Sequence, residues 1–370
     1  MRSLVPTSSF ARRMQSIFPP PDYLLMPAAG VDISNNSIKV LSMHRGDAHS
    51  GIRMFGSLPF TEKVIENGDI LNKEAMDNAL STLREKFRFS FVHASLPEKR
   101  AFIFQTYIPK ELSHEEAHVV LESKLDEHVP LSAAEAIFDF EAVPEIASEE
   151  GKFVSVSVYA RRVVEDYVVA LESAGLTVVS LEIESQAIAR AVVPQGDPRT
   201  YLLVDFGKTS TKLAVASHGV IVYSSTVDIG GHSLTEAIMK YKNVSEEEAD
   251  RIKNEEGFYQ KSTDKELSEA MMSTVLALKD EINKRFLYWN ERQVQNKTPM
   301  SPIEGVILCG GNANLQGFAD FLGHSLTVPV DVANVWVNVL SFKNEIPPID
   351  HARSLEFATA LGLSLRGHLP

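Results

Sequence analysis

A two-lobed α/β fold with mixed sheets is what this chain predicts, on three observations. The first is an internal echo. Residues 31–40 read V-D-I-S-N-N-S-I-K-V and residues 204–213 read V-D-F-G-K-T-S-T-K-L, so Val31/Val204, Asp32/Asp205, Ser37/Ser210 and Lys39/Lys212 recur in register. The second is length: 370 residues are too many for one ordinary core and suit two. The third is order. Each copy of the echo opens a three-strand meander, and alternating helix and strand follow each meander.

The elements follow from local pattern. Apolar runs predict strands at 29–33, 38–43 and 52–58. Ala75, Ala79, Leu83 and Phe87 share one helical stripe within 72–88. Strands are expected at 90–96 and 101–108, and a helix over 113–127 that ends before Pro130. Two more strands, 135–143 and 152–160, flank a polar loop at 144–151. A helix over 161–174 is stopped by Gly175, and strand 176–183 and helix 185–192 follow. The run Pro194-Gln-Gly-Asp-Pro198 punctuates the chain and marks the boundary between lobes. Beyond it come strands 201–206, 211–217 and 220–227, then helices 232–242, 245–256 and 264–293. Strand 306–309, helix 314–325, strand 328–332 and a last helix over 354–365 complete the reading.

Composition narrows the function classes. A formal charge of −13 argues against general nucleic-acid binding, which needs a basic footprint. No apolar run reaches the about 18 residues of a membrane span. The single cysteine, Cys309, forms no internal disulfide and fits a reducing compartment. Residues 1–28 form a leader with three arginines against one aspartate. In it Phe10, Met14, Ile17 and Phe18 would share a helix face. It reads either as a flexible basic leader or as a foot for an anionic membrane surface.

Two turns and one glycine pair carry the chemistry. The first turn is Ser34-Asn35-Asn36-Ser37 and the second Gly207-Lys208-Thr209-Ser210. Tight turns of small residues present backbone N–H groups to phosphate oxygens, and the hydroxyls add donors. Lys39 and Lys212 supply positive charge. Asp32 and Asp205, each at a strand end, are hard oxygen ligands suited to a Mg²⁺ that keeps its waters. Further on, a buried strand runs into Gly310-Gly311-Asn312-Ala313, where glycines let a ring or ribose approach the backbone.

This set resembles the signature of the actin-like ATPase superfamily. Residues 31–40 resemble its first phosphate motif, 204–213 the second and 306–315 the adenosine motif. The stretch 181–190 resembles its connecting segment. That makes Glu184 the catalytic candidate, nearest the water at the γ-phosphate; the other reading is a solvated carboxylate before a helix. Asp250 and Lys253 match positions that hold ribose and base, although Asp250 is shorter than the Glu of most relatives. An exposed helix face is the other reading.

Closer still, 29–367 resembles the PilM family of type IV pilus assembly, in stretches such as Asn67-Gly-Asp-Ile-Leu71, Ile229-Gly-Gly-His-Ser-Leu-Thr235 and Ala360-Leu-Gly-Leu-Ser-Leu-Arg366. Ser34 stands where that family's first turn usually has Gly. The resemblance implies an actin-like ATPase fold, with an inserted FtsA-like subdomain in the first lobe. Residues 29–193, with the insertion at 97–160, would form that lobe, completed by 351–370. Residues 194–350 would form the second, with a helical subdomain at 231–300. It implies Mg²⁺ and ATP in the cleft between the lobes, with at most slow ATPase activity. It also implies a scaffold, at the inner face of the cytoplasmic membrane, that binds the N-terminal cytoplasmic tail of PilN. Such a scaffold would assemble as a homo-oligomer or ring and link the pilus alignment complex to its motor. Two other readings stay open: an FtsA-like cell-division filament, and a phosphotransferase of the sugar-kinase class.

Two motifs are set aside. His114-Glu-Glu-Ala-His118 fits a zinc pattern, but Ser113 and Glu116 make a capping box, so it reads as a polar first helical turn. Gly207-Lys208-Thr209 looks like the end of a P-loop, yet the first glycine of that motif would fall on Leu202.

Overall fold

The echo in the sequence becomes an echo in three dimensions. The computed structural model describes residues 28–44, 51–148, 151–258, 265–296, 300–339 and 346–366; the leader anticipated over 1–28 lies outside these up to residue 27. Strands β1 (Ala28–Ile33), β2 (Ser37–Met43) and β3 (Ile52–Pro59) form an antiparallel meander. A small hairpin, β4 (Ile65–Glu66) with β5 (Asp69–Ile70), leads into α1 (Lys73–Phe87). The Asn72 side chain caps α1 by accepting from Ala75 N, and the helix buries Met76, Ala79, Leu80 and Leu83. It ends at Arg88, in the left-handed region. Strand β6 (Phe91–Leu96) then pairs in parallel with β1.

A third sheet leaves the chain here. It holds β7 (Phe102–Ile108), helices α2 (His114–Glu122) and α3 (Leu125–His128), then β8 (Ala136–Ser148) and β9 (Gly151–Ala160), in the order β7-β9-β8. It has its own apolar cluster, including Phe104, Leu121, Leu125 and Val156. Helix α4 (Arg161–Ser173) and strand β10 (Thr177–Ile183) return to the first sheet, whose order is β10-β6-β1-β2-β3. Helix α5 (Glu184–Val192) follows directly.

The second half repeats the plan. Strands β11 (Thr200–Phe206), β12 (Thr211–Ser217) and β13 (Val220–Val227) form the meander. Helices α6 (Gly231–Lys242), α7 (Glu246–Glu256) and α8 (Lys265–Asn296) intervene. Then β14 (Gly305–Cys309), α9 (Phe318–Gly323) and β15 (Val330–Val332) complete a sheet of order β13-β12-β11-β14-β15. In both sheets a meander abuts two parallel strands. Short helix α10 (His351–Ser354) precedes α11 (Ala358–Leu365), which is buried along its whole length and packs on α5 and β1. A Cβ on Gly30 would run into Ala360 O, and one on Gly362 into Ala187 O; two glycines let these backbones touch.

Three local expectations change. The loop expected at 144–151 is largely strand, because β8 continues through Pro144 to Ser148. Its ladder slips between Ala142 and Ala147, where Pro144 has no N–H to give. The helix expected over 113–127 breaks at Ser123–Lys124 into α2 and α3. The helix expected from residue 314 begins only at Phe318, because Gly310–Leu315 are spent in turns such as Ala313 N to Gly310 O at 3.1 Å. Among the described residues, no helix is long and apolar enough to cross a membrane.

Candidate functional site

Sheet register explains why Asp and Lys recur together. Asp32 lies opposite Lys39 across β1/β2, and Asp205 opposite Lys212 across β11/β12. Each turn therefore carries its own Asp–Lys pair: 3.6 Å for Lys39–Asp32 and 3.0 Å for Lys212–Asp205. The lysines expected to meet phosphate are thus paired with carboxylates. The first turn also closes on itself. Ser34 donates to Ser37 O through both N (3.0 Å) and Oγ (2.9 Å), and Ser37 N donates to Ser34 Oγ at 3.2 Å. The serine hydroxyl thus commits one further N–H of this turn, that of Ser37, internally. In the second turn Gly207 N donates to Ser210 O at 3.1 Å. The two turns meet directly: Thr209 Oγ1 lies 3.1 Å from Asn36 Oδ1, 173 residues away in sequence. Lys208 points elsewhere, to Glu246 on α7 at 3.2 Å.

Beneath the turns lies a buried ion cluster. Lys212 Nζ contacts Glu184 Oε2 at 2.9 Å as well as Asp205. Glu184 is only 3% exposed, so it is not the solvated carboxylate of the alternative reading. Burial pushes its pKa up to about 7 against the pull of Lys212, with the nearby Asp32 and Glu98 adding to the rise. Burial alone would lower the Lys212 pKa, but Glu184, Asp205 and Asp32 outweigh it and hold the ammonium charged. Asp32 is buried beside Ser95, whose Oγ also accepts from Ile33 N at 3.0 Å. The three carboxylates Asp32, Asp205 and Glu184 outnumber the two lysines Lys39 and Lys212. That surplus of buried negative charge fits a hard cation which takes its remaining ligands from water and phosphate. It is not an all-protein cage: among the described residues, no group of three or more His, Cys, Asp or Glu converges on a metal position.

The glycine pair is explained chiefly by protein contacts. Gly310 has φ +86°, and a Cβ there would run into Asp205 Oδ1 and lie 2.7 Å from Phe206 O. Gly311 faces Glu356, whose Cγ would be 3.1 Å from an added Cβ. Close approaches at these two glycines are made by the end of β11 and the segment before α11. Asn312 ties the same loop down, donating from Nδ2 to Gly207 O at 2.9 Å and from N to Phe206 O at 3.1 Å, and Ala313 is buried. Asp250 and Lys253 form a separate knot between α6 and α7. Lys253 Nζ lies 2.7 Å from Asp250 Oδ1 and 3.0 Å from Thr235 Oγ1, and Lys253 is buried, which removes the exposed-face reading for it. Burial opposes ionisation of Asp250, but the Lys253 and Thr235 hydrogen bonds outweigh it and hold its pKa low. Sequence reasoning missed Ser95, Thr235 and Glu98. Nothing in Pro97-Glu98-Lys99-Arg100 separates a buried glutamate from a surface charge run.

Cys309 sits in β14 fully buried, and burial, with Asp205 adding, pushes its thiol pKa well up. It is expected to resist a thiol reagent in the native protein and to react fully once denatured. Rapid labelling without denaturant would contradict this packing role. His114 and His118 stack on Phe140 and Phe138, and Ser113 and Glu116 form the anticipated capping box.

A cavity of about 1020 Å³ opens on the other side of α5 from the turns. Its walls include Phe140 and Glu141 of β8, Leu181 of β10, Gln186 and Arg190 of α5, and Ile221 of β13. On its floor Glu182 accepts from Arg190 Nη2 at 2.9 Å and also pairs with Arg366.

Comparison with known proteins matches this architecture. The solved "PilM-PilN type IV pilus biogenesis complex" superposes with a TM-score of 0.75 at 22% identity, covering 94% of this chain and all of that one. MreB5 of Spiroplasma citri bound to ADP superposes at 0.51 with 13% identity, over 85% of this chain and 93% of that one. The cell division protein FtsA of Staphylococcus epidermidis is 20% identical over 333 residues, which is 79% of this chain and 71% of FtsA. The family described as "Type IV pilus assembly protein PilM" matches residues 30–368. With that match over nearly its whole length and the actin-like ATPase fold around its paired turns, the chain belongs to the PilM family.

Proposed function

We propose that this chain is a nucleotide-binding scaffold of the type IV pilus machinery. On this reading it binds Mg·ATP between a lobe of residues 29–193 completed by 351–370 and a lobe of residues 194–350. The phosphates lie between Ser34–Ser37 and Gly207–Ser210. The supporting observation is the convergence of the two turns, joined through Asn36 and Thr209, over the cluster of Asp32, Asp205, Glu184 and Lys212. Asp32 and Asp205 would hold Mg²⁺ through its waters, and the ion would supply charge neutralisation to the phosphates. Glu184 would orient a water, and Gly310 to Ala313, with Asp250 and Lys253, would flank the nucleoside.

The cavity beside the third sheet would take the cytoplasmic tail of PilN. Its wall is the outer strand of that sheet, β8, and an extended peptide can add to such an edge. The similar structure, a PilM–PilN complex, supports this partner. The scaffold would sit at the inner face of the cytoplasmic membrane, with the leader as a peripheral contact. It would assemble as a homo-oligomer or ring that links the alignment complex to the motor.

Calorimetry with Mg·ATP, using Asp205→Ala as control and an assay of phosphate release on the same samples, tests this. Tight binding lost in Asp205→Ala, with little release, is the expected result. Rapid release would move the reading toward an enzyme, and no binding by the unmutated protein would overturn it.

A further inference from the structure

The first turn of α5 is a wall between two sites. On one side Glu184 meets Lys212 at 2.9 Å, beneath the phosphate turns. On the other, Gln186 lines the groove; it donates to Gly219 O at 3.1 Å and accepts from Ile221 N at 2.9 Å. Between them Ser185 is buried, and its N and Oγ donate to the Glu98 carboxylate at 3.0 and 2.8 Å. Glu98 N in turn donates to Glu184 Oε2 at 3.3 Å. Glu98 is 4% exposed, so one buried residue holds both Glu184, on the turn side, and Ser185, the neighbour of Gln186 in the chain.

Capping alone does not require this arrangement. The position before the helix, Ile183, supplies no side-chain cap, and a Ser or Asn there would satisfy the turn without burying a charge. Instead the acceptor comes from a residue 87 positions earlier, at the root of the third sheet. Its backbone N–H also holds Glu184, so a shift of Glu184 pulls on the residue that caps Ser185. The same root is anchored on three elements. Leu96 O accepts from Tyr159 of β9 at 3.5 Å, and Lys99 reaches Asp228 at 2.6 Å and Asn67 at 2.7 Å. Leu96 and Tyr159 both line the groove.

We propose that Glu98 is a positioning residue that couples the groove to the phosphate turns. A nucleotide and cation that draw on Glu184 and Lys212 reset the first turn of α5, and Gln186 and Leu96 carry that change into the groove. An extended peptide there therefore binds differently in the empty and nucleotide-filled protein. This inference rests on the preceding reading of the two sites.

The test uses the full chain, Mg·AMPPNP and a synthetic peptide of the cognate PilN cytoplasmic tail. In the unmutated protein, the peptide affinities with and without nucleotide should differ by about 5-fold or more. Glu98→Ala should bring that ratio near one while both ligands still bind. Glu98→Gln keeps an acceptor for Ser185 but loses the charge, and should leave an intermediate ratio. A merely structural role would lower stability and both affinities together and leave the ratio unchanged; that result overturns the proposal, as does a ratio of one in the unmutated protein. Failure of the unmutated protein to bind either ligand overturns the functional reading itself, and Glu98 with it. If Glu98→Ala does not fold, Ser185→Ala, which keeps its N–H, replaces it with the same expected direction.

Discussion

Lys212→Met is expected to destabilise the folded chain by about 3–5 kcal/mol near neutral pH, since it removes one partner from a buried ion cluster. Lys212 is the ammonium shared by Glu184 and Asp205, at 2.9 and 3.0 Å, and the Glu184 side chain is 4% exposed. Without it, Glu184 and Asp205 lose the cation between them, and Lys39 remains only beside Asp32. The pH dependence has a definite sign. In the unmutated protein the Glu184 pKa stands at about 7 in the folded state against 4.5 for the ordinary group. The folded state therefore holds this proton more tightly than the unfolded state. Its contribution to stability is full below about pH 4.5 and is lost as pH rises through about 7. Deleting Lys212 removes the charge that holds Glu184 down, so its pKa rises further. The variant should then lose more stability at about pH 8 than at about pH 5. Urea denaturation at both values measures this; equal losses, or none, would show that the lysine is not what balances these carboxylates.

The second large effect is steric and lies away from any ligand. Gly362→Ala should destabilise the protein by about 1–3 kcal/mol or more, with a Tm several degrees lower, because overpacking a filled interior forces backbone to move. The new methyl would run into Ala187 O, which is helix backbone and cannot turn aside as a side-chain end can. Helix α11 is buried at every position and is pinned to β1 by the contact of Gly30 with Ala360 O. Helix α5 must therefore move, and α5 begins with Glu184 and Gln186. Nucleotide and peptide binding should weaken together, although the new methyl enters neither site; Gly362 reaches the groove only through its carbonyl oxygen, which accepts from Arg190 at 3.0 Å. Gly323→Ala is the matched control. It also lies in a helix, but its added methyl would meet only Val330, at 4.0 Å, and its Tm should stay within about a degree or rise slightly. Equal effects at the two positions would mean that close approach is not what Gly362 provides.

Most of the architecture was legible because it depends on short-range pattern. Apolar alternation and turn residues located both meanders to within about two residues. The register of Asp32 with Lys39 and of Asp205 with Lys212 was latent in the equal seven-residue spacing of the two echoes. Where reading failed, a long-range partner had overridden a local rule. Pro144 reads as a loop residue, yet β9 holds the strand on both sides of it. At Gly310, too, the residue that a side chain would meet, Asp205, lies 105 positions away and leaves no local mark.

The sequence by itself determined the duplicated plan, the order of strands and helices, and the residue types at both turns, because each depends on neighbours within about ten positions along the chain. Only the tertiary structure decided which of those residues act together. Asn36 reaches Thr209 across 173 positions, and Ser185 reaches Glu98 across 87. The burial of Glu184, and with it the high pKa of its carboxyl, exists only once helix α5 and strand β12 meet at Lys212. Burial and charge proximity are properties of distance in space, and no local pattern encodes them.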